Sequence, residues 1–338
     1  MKKPFLLSFV IILFISCKKD TISELNPLDT IFENASQNEN LRCLIVYKDG
    51  NIVKDDYFIG TSQTPHDVRS VTKSITATLT GIAIDNGFLA SENENINSYL
   101  TPYVNPINAT WSNVKVRDVI SMTTGITVDE LANPSEYVNW FYNAPNQLDY
   151  TLNIPIENNP GEVFTYNSGI THLMSAVITQ STNLTTEQFA KDYLFNPLNI
   201  NNYSWETDKQ GVYNGGAGLQ ISPRDMLKVG QLYLNNGEFN NTRIVSEEWI
   251  SKASSFKVST NSAQSFGPNY GYSWWIGNAH NHDYFFANGY GGQFIVIVPD
   301  SNLIVIATNN WSGVPTTTAN EQWYNTIDMI INEIIPLY

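Results

Sequence analysis

Basic residues are scarce in this chain, and so are the usual metal ligands. The 338 residues include 18 lysines and arginines against 32 aspartates and glutamates, a formal net charge of −14. An acidic surface repels nucleic-acid phosphates, so we expect no nucleic-acid partner. No metal-ligand spacing joins the two cysteines to the four histidines. These histidines are His66, His172, His280 and His282, the last two in a predicted polar hairpin loop. We therefore expect no metal and no cofactor.

Long apolar runs are also scarce: one stands out, at residues 5–15, directly after Lys2 and Lys3. It is too short to span a bilayer, which takes ~20 residues. The run ends at Ser16-Cys17 without a small-x-small peptidase site, and so resembles a bacterial lipoprotein signal. Residues 1–17 are therefore predicted to be a signal with lipidation at Cys17, and residues 18–26 a polar tether. This would leave Cys43 without an intrachain disulfide partner.

Strand patterns occur at both ends of the chain and helix patterns between them. Strands are predicted at 42–47, 52–59, 272–276, 284–287, 293–298 and 303–308. Helices are predicted at 70–87, 116–122, 134–142, 170–180, 187–194, 223–234 and 318–335. This order predicts one α/β (α+β) domain over residues 27–338. Its antiparallel sheet would be built from both termini and flanked by helices, with a mainly helical insertion at about 91–235.

The most informative motif is Ser70-Val71-Thr72-Lys73, at the start of the predicted helix 70–87. Residues three apart lie on one helix face with Cβ atoms ~5–6 Å apart, so the Lys73 amine can reach the Ser70 hydroxyl. The amides of a helix N-terminus also favour the oxyanion that forms when a serine attacks a carbonyl. The motif thus indicates a nucleophile beside its base. The alternative is a helix N-cap serine followed by a solvated lysine.

Ser-x-x-Lys by itself has low specificity, because the same spacing occurs three more times. The other pairs are Ser16/Lys19 in the export signal, Ser112/Lys115 in a polar turn and Ser254/Lys257 in a polar stretch. Only Ser70 begins a helix with an apolar repeat typical of burial. Other motifs along the chain are needed to choose between a nucleophile beside its base and an N-cap serine followed by a solvated lysine.

Five blocks resemble, in order, those of the class C β-lactamase-related serine hydrolases. They are SVTK at 70–73, VRDVISMTTG at 116–125, PGEVFTYNSG at 160–169, GLQISPRDM at 218–226 and GYGGQ at 289–293. That family includes esterases, D-amino-acid peptidases and amide hydrolases similar to the 6-aminohexanoate-dimer hydrolases. The resemblance implies a β-lactamase/transpeptidase-like fold and an acyl-enzyme mechanism on a small-molecule or peptide-like ester or amide.

By this resemblance, Ser70 is the acylated nucleophile, Lys73 its activator and Tyr166 the proton relay. A tyrosine acting as base would need a nearby cation, and Lys73 is the candidate. Tyr166 follows Pro-Gly and precedes a helix, as in the family block, but Ser168 stands where the family has Asn. Ser168, or its neighbour Asn167, is the expected polar contact to Lys73 and substrate. Three other tyrosines fit Tyr-x-Asn by letter only: Tyr103, Tyr137 and Tyr233.

The last block bears on the substrate. Where β-lactamases have Lys-Thr-Gly, this chain has Tyr290-Gly291-Gly292, without a cation for a β-lactam carboxylate. Paired glycines on an edge strand would let a substrate backbone approach closely, and the Gln293 amide would join that of Ser70 as an oxyanion hole. The glycines could also simply form the turn that enters the strand, and the two interpretations are compatible. We therefore expect neutral acyl or amide substrates to be preferred over β-lactams. Besides Tyr290, three tryptophans are candidates for either pocket or core: Trp274, Trp275 and Trp311.

Other functions stay open on the sequence alone. The chain could be a penicillin-binding D,D-peptidase or a β-lactamase, or a cell-envelope binding protein with a degenerate, non-hydrolytic cleft. Retention of both Ser70 and Lys73 favours the enzyme. The predicted lipid anchor places the protein in the bacterial cell envelope, on the periplasmic side or the cell surface.

The anchor is testable by replacing Cys17 with Ser. We expect the Cys17→Ser protein to be soluble or unprocessed, whereas the wild type partitions into detergent, because acyl chains on Cys17 would hold the chain to the membrane. Fractionation of cells expressing each protein is the measurement, with Cys43→Ser as the matched control. Normal processing and membrane retention of Cys17→Ser would contradict the lipoprotein interpretation.

Overall fold

A computed structural model describes residues 26–260 and 266–338. The predicted signal, Cys17 and all of the tether except Asn26 lie outside the described residues. The strands are β1 (Leu41–Lys48), β2 (Asn51–Tyr57), β3 (His66–Asp67), β4 (Ser204–Trp205), β5 (Leu219–Ile221), β6 (Glu238–Phe239), β7 (Thr242–Arg243), β8 (Val258–Ser259), β9 (Asn269–Tyr270), β10 (Trp275–Ala279), β11 (His282–Gly289), β12 (Gln293–Val298) and β13 (Leu303–Asn309).

Eight of these strands form one antiparallel sheet, in the order β2-β1-β13-β12-β11-β10-β9-β8. Strand β13 pairs with β1 on one side and β12 on the other, so the two ends of the chain meet in the middle of the sheet. Every residue of β12 and β13 is buried. Their near-continuous apolar sequences fit strands covered on both faces. The predicted sheet built from both termini is therefore confirmed.

The helices lie on the sheet and in the segment between its two halves. They are α1 (Pro27–Ala35), α2 (Val71–Asp85), α3 (Asn97–Leu100), α4 (Val116–Ile120), α5 (Ser135–Val138), α6 (Gln147–Leu152), α7 (Ser168–Thr182), α8 (Thr186–Ala190), α9 (Pro223–Leu234), α10 (Glu247–Ala253) and α11 (Thr316–Met329). No helix among the described residues is long and apolar enough to cross a membrane. Cys43, on β1, is a free and buried thiol.

Helix α2 is the central helix of the molecule and is buried on all sides from Val71 to Ala83. It packs on α7 of the inserted lobe and on strands β11 and β12 of the sheet. Its small residues permit this close packing: the indole of Trp249 lies where a side chain on Gly81 would otherwise stand. Its buried threonine hydroxyls have partners within the helix, since Thr76, Thr78 and Thr80 each donate to the backbone carbonyl one turn earlier. Its N-terminus therefore lies where the sheet and the inserted lobe meet.

Several predicted elements have different ends in the structure. The predicted helices 134–142 and 187–194 each begin as α-helix, α5 and α8, and continue as a short π-helix. The predicted helix 116–122 stops at Ile120, and Met122 then adopts a left-handed backbone with φ of 59°. The predicted strand 272–276 starts only at Trp275, because Ser273 is left-handed and its N–H donates to the Ile120 carbonyl. These departures occur where tertiary contacts take backbone groups out of the regular pattern.

The small sheet β3-β5-β4 was not predicted, and it positions the start of α2. Strand β3 pairs with β5, and the Val68 N–H then donates to the Leu219 carbonyl at 3.0 Å. This short ladder ties the residues just before Ser70 to β5, near the end of the inserted segment. Ser70 is thereby held by the insertion as well as by its own helix.

Candidate active site

Ser70 stands at the N-cap position of α2, but its hydroxyl does not cap the helix. The residue before it, Arg69, has a left-handed backbone with φ of 52°. The Asp67 carboxylate stabilises this turn by accepting the Arg69 N–H at 2.7 Å. Non-glycine residues with positive φ carry strain and are concentrated at functional sites. The turn leaves the Ser70 side chain available for another partner.

That partner is Lys73, whose amine is surrounded by three oxygens. Lys73 Nζ lies 2.8 Å from Ser70 Oγ, from Ser168 Oγ and from the Gly216 carbonyl oxygen. Lys73 is only 1% exposed. The alternative of an N-cap serine with a solvated lysine is therefore wrong in its geometry.

The hydrogen bonds around Lys73 define which way its lone pair points. A carbonyl oxygen such as that of Gly216 can only accept. The Ser168 hydroxyl donates to Glu130 Oε2 at 2.8 Å, so toward Lys73 it presents a lone pair. A neutral amine has two N–H bonds and one lone pair, and these two acceptors take both N–H bonds. The lone pair is left for the Ser70 hydroxyl, the one neighbour of the three that can still donate.

The surroundings of Lys73 bring the pKa of its amine close to neutral pH. Burial lowers the pKa of Lys73 to about 7, with a smaller lowering by Arg69 and an opposing effect of the Glu130 carboxylate. A base with this pKa is partly unprotonated at neutral pH, as proton abstraction from a serine requires.

Glu130 is part of the site and was missed by the sequence analysis. Its carboxylate accepts the Ser168 N–H at 2.7 Å as well as the Ser168 hydroxyl. Burial raises the pKa of Glu130, while Lys73 and the Ser168 hydrogen bonds act to lower it. Glu130 lies in a loop without regular structure, in no motif that we could identify, and 38 residues away from its partner. No sequence signal indicated it.

Ser168 and Asn167, at the start of α7, bind different partners. Asn167 Oδ1 accepts the N–H groups of Gly169 and Ile170, so this side chain caps the helix. Ser168 points to Lys73 instead. Ser168 therefore makes the contact to Lys73 that the resemblance implied. Where the family usually has Asn, this chain has a shorter hydroxyl side chain, which donates a hydrogen bond to Glu130.

Tyr166 lies next to Ser70, close enough for the two hydroxyls to interact. Lys73 Nζ is 5.0 Å from the centre of its ring. Burial raises the pKa of Tyr166 well above the usual value, although the Ser70 hydroxyl acts to lower it. The raised pKa keeps the phenol of Tyr166 protonated at neutral pH. In this form it is suited to donate a proton.

The other three Tyr-x-Asn tyrosines have different surroundings. The Tyr233 hydroxyl bonds to Thr78 in the core, and Tyr103 accepts a hydrogen bond from Gln180. Tyr137 packs on the guanidinium of Arg69. Trp274 and Trp275 are both core residues, at 0% and 2% exposure.

Tyr290, Gly291 and Gly292 form the turn between β11 and β12, which is the turn and not the edge strand of the two possibilities from the sequence. Gly291 and Gly292 both have positive φ, 72° and 95°, and a Cβ on Gly291 would lie 2.6 Å from the Trp311 side chain. The glycines are therefore needed for the turn and for packing against Trp311.

Gln293, the first residue of β12, is fully buried, and its side chain stabilises this turn through hydrogen bonds. Its side-chain amide donates to the Asn309 carbonyl at 3.0 Å and accepts the Asn309 N–H at 3.2 Å. Strand β10 pairs with β11 only as far as Phe286, so the end of β11 is unpaired on the opposite side from β12. The Gly289 carbonyl turns toward β12, where it accepts the Gly292 N–H. Because backbone groups alternate in direction along a strand, the next N–H, that of Tyr290, faces the open side.

Aromatic rings and one cation form the rim near Ser70. The Arg69 guanidinium lies between Trp311, at 4.3 Å from its ring centre, and Tyr137, at 4.9 Å. It is also paired with Asp67, with a separation of 3.4 Å. Tyr290 packs edge-on against Trp311 and is 36% exposed. Arg69 thus has both faces covered and its charge balanced by a neighbour.

The sheet from both termini, the inserted helical lobe and the Ser-x-x-Lys helix between them define a β-lactamase/transpeptidase-like fold. A sequence profile of the Beta-lactamase family matches residues 32–325. The chain belongs to this family of serine hydrolases.

Solved structures give the same fold at low sequence identity. A Bacillus anthracis protein provisionally named a 6-aminohexanoate-dimer hydrolase superimposes with a TM-score of 0.75 at 19% identity, covering 90% of this chain and 82% of its own. EstCE1, described as a hydrolase with promiscuous acyltransferase activity, gives 0.69 at 15% identity, covering 88% and 97%. A class C beta lactamase from Rhodobacter sphaeroides gives 0.61 at 14% identity, covering 89% and 99%. Amide and ester hydrolases are thus among the neighbours.

The environment of Lys73 predicts the acidic limb of the pH profile. Activity should fall as the pH drops below about 7, because protonation of Lys73 removes its lone pair. The charge of Glu130 raises the pKa of Lys73, so Glu130→Gln should move this limb to lower pH. The measurement is kcat/KM for a neutral ester from pH 5 to 9. Glu136→Gln is the control, since Glu136 is buried nearby and bonds to Tyr150. An unmoved limb in Glu130→Gln would refute this assignment.

Proposed function

We propose that the protein hydrolyses esters or amides through an acyl-enzyme on Ser70. The observation that carries the proposal is the direction of the Lys73 lone pair, which has Ser70 as its remaining partner once Ser168 and Gly216 accept both N–H bonds. A buried amine with a pKa of about 7 and a serine at a helix N-terminus supply the base and the nucleophile of acyl transfer.

In the proposed acylation, Ser70 Oγ attacks the substrate carbonyl as its proton passes to Lys73 Nζ. The carbonyl oxygen becomes an oxyanion. Tyr166, beside Ser70, then donates its proton to the leaving group, and its phenolate regains the proton that Lys73 took from Ser70. Water takes the place of the leaving group and attacks the acyl carbon. Its proton passes to Tyr166 and Lys73, and Lys73 protonates Ser70 Oγ as the acid is released.

The oxyanion needs two N–H donors that do not already have acceptors. The Ser70 N–H makes no hydrogen bond to any described residue, and neither does the Tyr290 N–H. We assign the oxyanion hole to this pair. Gln293, the residue expected from the sequence, would act indirectly by holding the turn at Tyr290.

Neutral substrates suit this site better than β-lactams. Two cations lie beside Ser70 among the described residues: Lys73, which is only partly charged at pH 7 and already has three oxygens around its amine, and Arg69, which is balanced by Asp67. A β-lactam carboxylate would therefore lack a free cation. We also propose that the enzyme works in the cell envelope, held by lipid on Cys17. This part of the proposal rests on the sequence.

The nucleophile can be tested by labelling with a fluorophosphonate. We expect Ser70→Ala to abolish both labelling and ester turnover, because the activated hydroxyl is gone. Ser112→Ala and Ser254→Ala, at two other Ser-x-x-Lys positions, are matched controls that should be labelled like the wild type. A wild-type protein that takes no label would instead favour the non-hydrolytic binding protein, and labelling of Ser70→Ala would exclude Ser70 as the nucleophile.

Substrate preference can be tested with a short p-nitrophenyl ester and nitrocefin. A charge-assisted hydrogen bond is worth about 1.5–3 kcal/mol, or roughly 10- to 150-fold, so its absence should make the ester much the better substrate. Tyr290→Lys should narrow this gap through kcat/KM for nitrocefin, and the uncharged Tyr290→Met is the matched control. Nitrocefin turnover near the ester rate, or a long-lived penicillin adduct, would favour the β-lactamase or the D,D-peptidase.

A further inference from the structure

A second buried polar pair lies on the far side of the Lys73 pocket and has no part in the proposed chemical steps. His172, on α7, approaches Asp208 with Nε2 3.0 Å from Oδ2, and both side chains are fully buried. The other ring nitrogen, Nδ1, lies 3.3 Å from the Gly215 backbone nitrogen. The edge of the Trp140 ring also packs on His172, at 5.7 Å between ring centres.

The two contacts define the tautomer of His172. A backbone N–H can only donate, so Nδ1 accepts from Gly215 and carries no proton. Nε2 then carries the proton and donates it to Asp208. The carboxylate is held in turn, because its other oxygen, Oδ1, accepts the N–H groups of Gln210 and Val212 at 2.9 and 2.8 Å. The protonation of the imidazole is thereby imposed by its surroundings.

Gly215 connects this pair to Lys73, because the next residue supplies one of the three oxygens around the amine. The Gly216 carbonyl accepts from Lys73 Nζ, and the Gly215 carbonyl accepts from the Thr76 hydroxyl one turn later on α2. The two glycines lie directly on α7: a Cβ on Gly215 would stand 2.5 Å from the Thr171 carbonyl oxygen, and one on Gly216 2.5 Å from that of Ser168. Nothing bulkier fits between α2 and α7 here.

We infer that His172 and Asp208 are positioning residues for the base. They hold the Gly215 N–H, and through it the Gly216 carbonyl, at the place where that carbonyl takes one N–H of Lys73 and leaves the lone pair on Ser70. The inference rests on the proposed function. A misplacement of about 1 Å in such a reacting group can cost ~10²-fold in rate.

Asp208→Asn tests the tautomer directly. The backbone N–H groups of Gln210 and Val212 require an oxygen on their side, so the new amide would present its NH₂ to His172 Nε2. The proton would move to Nδ1, which faces the Gly215 N–H, and two donors would oppose each other. We expect kcat for the neutral ester to fall roughly 10- to 100-fold. The acidic limb should also move to lower pH, because the Lys73 ammonium loses an acceptor.

Two substitutions of His172 separate positioning from packing. His172→Asn keeps an oxygen near the place of Nδ1 that can accept the Gly215 N–H, whereas His172→Leu fills the space without an acceptor. We expect His172→Asn to retain more kcat than His172→Leu, with the labelling rate of Ser70 following the same order and thermal unfolding confirming that each variant is folded. A purely structural role in a fully buried site would instead favour leucine.

Two results would overturn the inference. One is a folded Asp208→Asn protein with the wild-type pH profile and kcat. The other is a His172→Leu protein at least as active as His172→Asn. Both presuppose a wild type that is labelled and turns over ester; a wild type without either property would refute the proposed function itself, and the inference with it.

Discussion

The structure depends on one constraint: a lysine amine has been taken out of water. An ammonium ion without solvent is costly unless its environment replaces the lost hydrogen bonds or allows it to become neutral. Here both occur, since three oxygens surround Lys73 Nζ and burial brings its pKa to about 7. The oxygens come from α2, from α7 and from the loop before β5. The pocket therefore exists only when the helical lobe and the central helix are packed together.

The inserted lobe supplies Ser168, which contacts Lys73, and Glu130, which holds Ser168 in place. Ser168 turns its lone pair to Lys73 because its hydroxyl donates a hydrogen bond to Glu130. Glu130 is itself held by the backbone, since its N–H donates to the Tyr166 carbonyl at 2.9 Å. The Glu130 carboxylate, the Ser168 hydroxyl and the Lys73 amine thus form a chain of hydrogen bonds that leads from the lobe to Ser70. Such chains of hydrogen bonds strengthen one another in a water-poor interior.

Two kinds of contact could be predicted from the sequence: those between residues close along the chain, and those implied by the five motifs that resemble the family. Ser70 and Lys73 lie three apart on one helix, so helix geometry alone brings them together. Ser168 lies 95 residues from Lys73, and only the resemblance to a family block indicated it. Glu130, Gly216 and His172 lie in no recognised pattern, because a buried carboxylate, a carbonyl oxygen and a histidine bound to a backbone N–H have no periodic signature. The sequence left both a turn and an edge strand open at Tyr290 for a related reason: pairing between β10 and β11 ends at Phe286, and sequence patterning does not show where a ladder stops.

Strand β13 has a consequence for the order in which the molecule can be built. It is the last strand to be synthesised, yet it lies between β1 and β12, so the first hairpin cannot join the sheet until residue 309 is available. Contacts of such long sequence separation form slowly and late in folding. Strands β11 and β12, on which the Ser70 helix packs, also come from this final part of the chain. A ribosome-bound chain would therefore carry Ser70 and Lys73 for most of its synthesis without the surroundings that bury them in the folded protein, and the proposed site would form only on completion.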